Sequence, residues 1–383
     1  MKLRREIRRR FRSVGDVAEQ VEGLRREIEE QSSSAEQAAR MYELGLLCED
    51  LVIDRDIALA IYQRAWKLNP QDQRALGRAR FVYHEVGRLD MVAKLGLLEL
   101  KGELDARRRG ELAALVGSVL LDGGQRERSI EYLEEASRLQ PDSVVIEDAL
   151  AAARYDRASW QTEVARLSAE AQRAEPVAAA RLYLRAARIL CFEAPEQDAL
   201  AAMLDRALAF DPQNEVAGFL LESLLARQGR WEELERSQEA RVKAAPVEAL
   251  PELYRRFALA WLQRFKDPQR AAAMFVRALE AVPASGAAGL RSQVAVLAYL
   301  HGVRDAPGQL RQLVDLVANV LAKGAPPTES KESKESDDAD DWIDSAIVAG
   351  SAAWKELGDP ARARQFLELV RLSAFDNPVV IEF

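Results

Sequence analysis

The sequence predicts an all-α fold built from tandem pairs of helices. Pro70, Pro141, Pro212 and Pro283 follow one another at intervals of 71 residues. Before each proline the same skeleton recurs: a small or apolar residue, a large apolar residue four positions later, and an alanine three positions after that. The four copies are Ala58, Tyr62 and Ala65; Ser129, Leu133 and Ala136; Leu200, Leu204 and Ala207; and Ala271, Phe275 and Ala278. Steps of four and three residues place side chains on one face of a helix, and a fixed period of this length indicates a repeat architecture.

A second pattern precedes the first copy of the skeleton. The spacing W-x2-L-G-x2-Y is occupied by Met41, Leu44, Gly45 and Cys48, and it is followed by Ala58, Tyr62 and Pro70. This arrangement resembles the tetratricopeptide repeat, a helix-turn-helix unit of about 34 residues. The 71-residue period then corresponds to two units of about 35 and 36 residues. The resemblance implies a right-handed α-solenoid in which small residues let the two helices of a unit, A and B, approach closely.

The chain divides into four predicted segments. Residues 1–34 form a basic amphipathic helix and a polar break, residues 35–323 a solenoid of eight units, residues 324–341 an acidic disordered insertion, and residues 342–383 a ninth unit with a tail. The insertion is indicated by its composition, since it is rich in acidic residues and poor in apolar ones. It is also indicated by spacing, because Asp267-Pro268 recurs as Asp359-Pro360 after 92 residues, 21 more than the period.

The two ends of the array raise open alternatives. Val14, Val17, Val21, Leu24 and Ile28 follow the a/d rhythm of a coiled-coil seam. The N-terminal helix is therefore expected to cover the first unit or to mediate self-association. The stretch Val379-Val380-Ile381-Glu382 repeats the start of an even unit at Val144. We expect it to leave an uncapped C-terminal face, covered by another protein or continued in a longer chain.

Composition excludes several classes of protein. The chain has 383 residues, 48% of them hydrophobic and 30% charged, and a formal net charge of −8, as expected of a folded water-soluble protein. No apolar region of a signal peptide follows the basic N-terminus, so a cytoplasmic location is predicted. The excess of arginine over lysine is typical of a GC-rich bacterial genome. Cys48 and Cys191 occupy equivalent places in separate units and are predicted to be helix-packing thiols rather than a disulfide.

No catalytic, cofactor or metal site is predicted. His84 and His301 have no second histidine near them in sequence, so they do not suggest a metal pair. No glycine-rich phosphate-binding motif and no nucleophile elbow occurs. The sequence therefore predicts a protein that is not an enzyme.

The resemblance points instead to a binding groove. In tetratricopeptide-like arrays the A helices line the concave face, where a peptide can lie. Carried over by position, the candidate residues are Tyr42, Phe81, His84, Tyr155, Arg181, Arg188, Phe219 and Arg255. Aromatic residues and arginine are the types enriched in binding hot spots, although packing within the groove is the alternative for each. Arg181, Arg188 and Arg255 further suggest an acidic ligand, for which the chain's own residues 329–344 are one candidate.

A second candidate surface is the basic N-terminus. Residues 1–12 hold seven basic side chains and one acidic side chain, a net charge of +6, against −14 for the remainder of the chain. The arginines of this cluster are Arg4, Arg5, Arg8, Arg9, Arg10 and Arg12. Leu3, Ile7 and Phe11 would share one face of a helix, which suits contact with an anionic membrane. Nucleic acid is a weaker alternative because no base-reading module accompanies the cluster. Pairing with the acidic surface of the repeats is the plainer explanation.

The function predicted from these features is that of a scaffold or adaptor. It would bind a partner protein or peptide in the concave groove or at the C-terminal face. The alternative is a regulator tethered to a membrane or nucleic acid through the arginine cluster. The identity of the partner and the oligomeric state do not follow from the sequence.

Overall fold

A computed structural model gives the fold. It describes residues 17–30, 33–49, 55–102, 105–195, 198–281, 311–312, 314–318 and 337–371. The arginine cluster, most of the predicted eighth unit, the greater part of the acidic insertion and the C-terminal tail lie outside these residues. Expectations about them therefore remain predictions.

The regular elements of the described residues are helices arranged in consecutive pairs. They are α1 (Val17–Glu29), α2 (Ser34–Leu47), α3 (Arg55–Leu68), α4 (Arg74–Glu85), α5 (Leu89–Leu100), α6 (Ala106–Asp122), α7 (Arg126–Leu139), α8 (Val144–Ala153), α9 (Trp160–Ala171), α10 (Pro176–Glu193), α11 (Asp198–Phe210), α12 (Glu215–Arg227), α13 (Trp231–Ala244), α14 (Leu250–Gln263), α15 (Pro268–Ala281), α16 (Asp337–Ser351) and α17 (Pro360–Val370). Short 3-10 turns precede α9 and α14, and a π-helical turn (Ala352–Glu356) follows α16. The predicted all-α solenoid of helix pairs is confirmed.

The chain clusters into two compact bodies. The described residues within 76–245 form the central body, and those within 1–75 and 246–383 form the terminal body. Among the helices of the described residues, none combines the length and the apolar character needed to cross a membrane.

The 71-residue skeleton is the core of the helix pairs. All twelve of its residues are at most 2% exposed, and so are the corresponding residues of the ninth unit, Ala363, Leu367 and Val370. The pairs of odd units, such as α2 with α3 and α6 with α7, pack most closely. In the second and fourth units α5 and α9 instead pack against the A helix of the following odd unit, whereas in the sixth unit α13 packs on its own A helix, α12.

Small residues allow the close approach of helices A and B. A Cβ atom at Gly45 would lie 2.4 Å from Cε1 of Tyr62, and a Cβ atom at Gly350 would lie 2.6 Å from the side chain of Leu367. Since Gly350 and Leu367 lie 17 residues apart, as do Gly45 and Tyr62, the ninth unit repeats the contact of the first.

The turns between the helices lie at the proline and glycine positions of the repeat. The B helices α3, α7, α11 and α15 each end two residues before the repeated proline, which cannot continue a helix without losing a hydrogen bond. Gly87 and Gly229 have φ values of 77° and 69° at the turns inside two even units. This left-handed conformation favours glycine because it has no Cβ atom.

The N-terminal helix α1 packs on α2. Val21, Leu24 and Ile28, which form most of the predicted coiled-coil seam, are each at most 6% exposed. This part of the seam is therefore buried within the chain, as expected of a helix that covers the first unit.

The acidic insertion and the ninth unit meet at the start of α16. This helix begins at Asp337, so residues 337–341, which we expected to be disordered, are helical. The correspondence across 92 residues is supported by the caps, because the carboxylates of Asp267 and Asp359 accept hydrogen bonds from the backbone N–H groups of Arg270 and Arg362.

Candidate functional site

The central body brings A-helix side chains of distant repeats together. The imidazole of His84 in α4 stacks on the ring of Phe219 in α12, with 5.4 Å between the ring centroids and 21° between the planes. The two residues belong to the second and sixth units, so helices that are four repeats apart meet here. This contact joins two of the residues that were predicted to line the groove.

Phe81 lies one helical turn before His84 and is 43% exposed. The guanidinium carbon of Arg78 lies 4.5 Å from the centroid of its ring. Phe81, His84 and Phe219, together with Arg78, form what we call the aromatic face. Arg78 was not among the predicted residues, although its position three residues before Phe81 on a helix was a usable signal.

Tyr155, another of the predicted groove residues, lies in the packing between two helices. It is only 6% exposed, and its hydroxyl donates a hydrogen bond of 2.5 Å to the carboxylate of Glu193. The guanidinium of Arg126 lies over the ring and donates to the backbone carbonyls of Ala153 and Tyr155. Burial, and then the hydrogen bond to Glu193, raise the pKa of Tyr155. Tyr155 therefore holds α8 and α10 together rather than facing a ligand.

Arg188, also a predicted groove residue, is buried. It is 6% exposed, and it forms a bidentate ion pair with Asp122, at 2.8 Å from Nε to Oδ1 and 2.9 Å from Nη2 to Oδ2. The pair joins α10 to α6, the A helices of the fifth and third units. A guanidinium buried in this way is not available to an acidic ligand.

The other two predicted arginines also have acidic partners within the chain. Arg181 pairs with Asp148 of α8, and this hydrogen bond raises the pKa of Arg181. In the terminal body, Arg255 pairs with Glu252 one turn earlier in α14, at 2.6 Å. Each charge is already balanced, so these contacts give no support to the hypothesis of an acidic ligand.

Tyr42, the remaining predicted residue, lies in α2 of the terminal body. Its ring is tilted against that of Tyr62 with 5.9 Å between centroids, and the guanidinium of Arg74 lies 5.1 Å from its centroid. Tyr42 is half-buried and thus combines packing on the repeat core with a partly accessible ring.

The described residues contain no group of three His, Cys, Asp or Glu side chains placed to hold a metal ion. Cys48 and Cys191 are both free thiols. Burial raises the pKa of Cys191 to about 11, so this residue is a neutral thiol at pH 7. The groups that the aromatic face offers for binding are its aromatic rings and the guanidinium of Arg78.

No protein-family model and no curated protein matches the chain. Solved structures of helical repeat proteins do match the chain. YrrB, a TPR protein with an unusual peptide-binding site, is 20% identical over 47% of this chain and 89% of its own, with a TM-score of 0.30. The human IFIT1 dimer with m7Gppp-AAAA is 15% identical, covering 89% of this chain and 64% of its own, with a TM-score of 0.26. Yeast Tom70 is 13% identical, covering 88% of this chain and 94% of its own, with a TM-score of 0.25.

These similarities concern helical repeats and carry no conclusion about a ligand. The chain spans somewhat less than two thirds of the length of IFIT1.

Proposed function

We propose that the chain is a non-enzymatic interaction scaffold that binds a segment of a partner protein at the aromatic face. The observation that carries the proposal is the stack of His84 on Phe219 beside the exposed ring of Phe81. Rings and arginine are the side chains that contribute most to binding hot spots.

Contacts within the chain restrain the side chains of the aromatic face. The stack fixes His84 and Phe219, and Arg78 lies over Phe81. Side chains that are already ordered lose less conformational entropy when a partner binds, which improves affinity without new contacts. A partner segment with an apolar or aromatic anchor and a carboxylate or backbone carbonyl near Arg78 would suit this surface.

Comparative affinity capture tests the proposal. The full chain and the variant Phe81→Ala/Phe219→Ala would be used as baits in extracts of the source cell, with quantitative mass spectrometry. Leu369→Ala serves as the matched control, because Leu369 is also an exposed apolar residue, at 50%, but lies in α17 of the terminal body.

We expect one or more proteins to be captured by the full chain and by the control, and to be depleted at least about tenfold with the double variant. Equal capture by all three baits would contradict the aromatic face as the binding site.

A further inference from the structure

A second surface lies at one edge of the central body. Six apolar side chains there are between 36% and 71% exposed. They are Leu139, Val144, Val145, Val177, Phe210 and Val216, which we call the apolar edge. All of them lie at the end of a B helix or the start of an A helix.

Contacts within the central body bring the helices that carry these residues together. Asp148 of α8 is paired with Arg181 of α10, and Val145 and Val177 lie about one turn before these two residues in the same helices. Phe210, at the end of α11, stacks on Tyr183 of α10 with 5.9 Å between centroids.

The remaining members join the same edge through turns. Leu139 and Val144 flank the turn from α7 to α8, and Phe210 and Val216 flank the turn from α11 to α12. Exposed apolar groups that adjoin in this way, unlike single ones, mark an interaction surface.

The surroundings of the apolar edge are acidic. Six acidic residues and one basic residue lie within three sequence positions of its members; they are Asp142, Glu147, Asp148, Glu175, Asp211 and Glu215, against Arg138. Asp148 is paired with Arg181, and the guanidinium of Arg206 lies 5.7 Å from the ring centroid of Tyr183, on which Phe210 stacks. A partner for this surface therefore needs an apolar stripe flanked by positive charge.

Residues 1–12 have this chemistry. They carry a net charge of +6, and Leu3, Ile7 and Phe11 recur every four residues. In a helix, Leu3 and Phe11 would be about 12 Å apart along the axis. Neighbouring packed helices such as α8 and α10 have axes about 8–10 Å apart, so one apolar stripe would reach both Val145 and Val177.

We propose that the apolar edge binds residues 1–12 of a second copy of this chain. Apolar burial would supply the attraction, and the acidic residues around the edge would orient the arginine cluster and speed association. The contact uses different residues from the aromatic face, although Val216 and Phe219 lie one turn apart on α12.

Light scattering of the full chain, from about 1 to 100 μM at low salt, is the first arm of the test. We expect the mass to rise with concentration from 42.7 kDa towards twice that value, and about 0.5 M salt to oppose the rise by screening. A chain lacking residues 1–12 and the variant Val145→Glu/Val177→Glu are each expected to stay monomeric. Leu369→Glu, with the same change at another exposed apolar residue, is expected to behave as the full chain does.

Mixing the two monomeric proteins is the decisive arm. The chain lacking residues 1–12 keeps the apolar edge, and the glutamate variant keeps the basic segment, so a one-to-one complex is expected in the mixture. A full chain that stays monomeric, a glutamate variant that dimerises as the full chain does, or a mixture without a complex would each overturn the proposal.

Vesicles with anionic lipid separate this proposal from membrane tethering. If the full chain is monomeric, and binds such vesicles only when residues 1–12 are present, the segment is a membrane anchor and the proposal is wrong.

Discussion

His84 and Phe219 are stacked at 5.4 Å although they belong to the second and sixth repeat units. The contact makes one surface out of two helices that are far apart in the sequence. It also joins the second and sixth units of the central body directly, without the units between them. Both consequences can be measured.

A double-mutant cycle tests the contact between His84 and Phe219 itself. Offset aromatic pairs contribute about 0.5–1.5 kcal/mol beyond the area that they bury. We therefore expect His84→Ala and Phe219→Ala to be non-additive by about this amount in the free energy of unfolding from urea titrations. Additivity within about 0.3 kcal/mol, the range typical of separate sites, would contradict the contact.

Two glycine substitutions of opposite sign test the packing of the first unit. Gly45→Ala would place a Cβ atom 2.4 Å from the ring of Tyr62, and overpacking of this kind costs about 1–3 kcal/mol. Gly23→Ala in α1 is the matched control. A Cβ atom there meets no atom within 4 Å. The better helix propensity of alanine should therefore stabilise the folded chain by about 0.5–1 kcal/mol. Melting temperatures should shift in opposite directions, and a neutral or stabilising Gly45→Ala would show that helices A and B are not so closely packed.

The buried pair of Arg188 and Asp122 should be sensitive to removal of one partner. Arg188→Met leaves the carboxylate of Asp122 buried without its cation, and breaking such pairs costs about 3–5 kcal/mol. The combined variant Arg188→Met/Asp122→Leu removes both charges and should recover much of this loss. Arg107→Ala is a control, because Arg107 pairs with Glu111 at the surface and its side chain is 88% exposed. Urea unfolding measures all three; a single variant no worse than the control would contradict the burial.

The thiol of Cys191 gives a prediction about pH. Burial raises the pKa of this thiol from its ordinary value of 9.0 to about 11. Because the thiolate is the reactive form, alkylation by iodoacetamide in the folded chain should rise steeply only as the pH approaches 11. In the urea-unfolded chain the rise should come near pH 9. Mass spectrometry of the Cys191 peptide follows the reaction, and equal pH profiles for the two states would contradict the burial.

The same shift predicts how stability depends on pH. The folded chain holds the Cys191 proton more tightly than the unfolded chain does, so its contribution is complete below about pH 9 and is lost as the pH rises through 11. Arg227 and Arg188, which lower the pKa of this thiol, and Asp122, which raises it, are the charged groups near it.

Much of the fold could be predicted because its determinants are local. The spacing of Ala58, Tyr62 and Ala65 is set by the geometry of the helix. Its recurrence every 71 residues predicted a repeated core, and all twelve side chains are at most 2% exposed. The start of α16 at Asp337 was missed because composition alone does not fix where a helix begins.

The candidate site was predictable only in part. Position in the repeat placed Phe81, His84 and Phe219 on A helices, but not the stacking of His84 on Phe219. The burial of Arg188 depends on Asp122, which lies two A helices away. The burial of Tyr155 depends on Glu193, which lies on the next A helix. Such pairs follow from how the repeats stack, and no fixed sequence spacing encodes them.

The affinity of a captured partner for defined variants tests the central claim most directly. With the partner purified, isothermal titration calorimetry would compare the full chain with Phe81→Ala and with Leu369→Ala. Loss of a hot-spot contribution of at least about 2 kcal/mol raises Kd about 30-fold for Phe81→Ala, whereas no change in Kd is expected for Leu369→Ala. A Kd unaltered by Phe81→Ala would contradict the claim that the aromatic face is where this scaffold binds its partner.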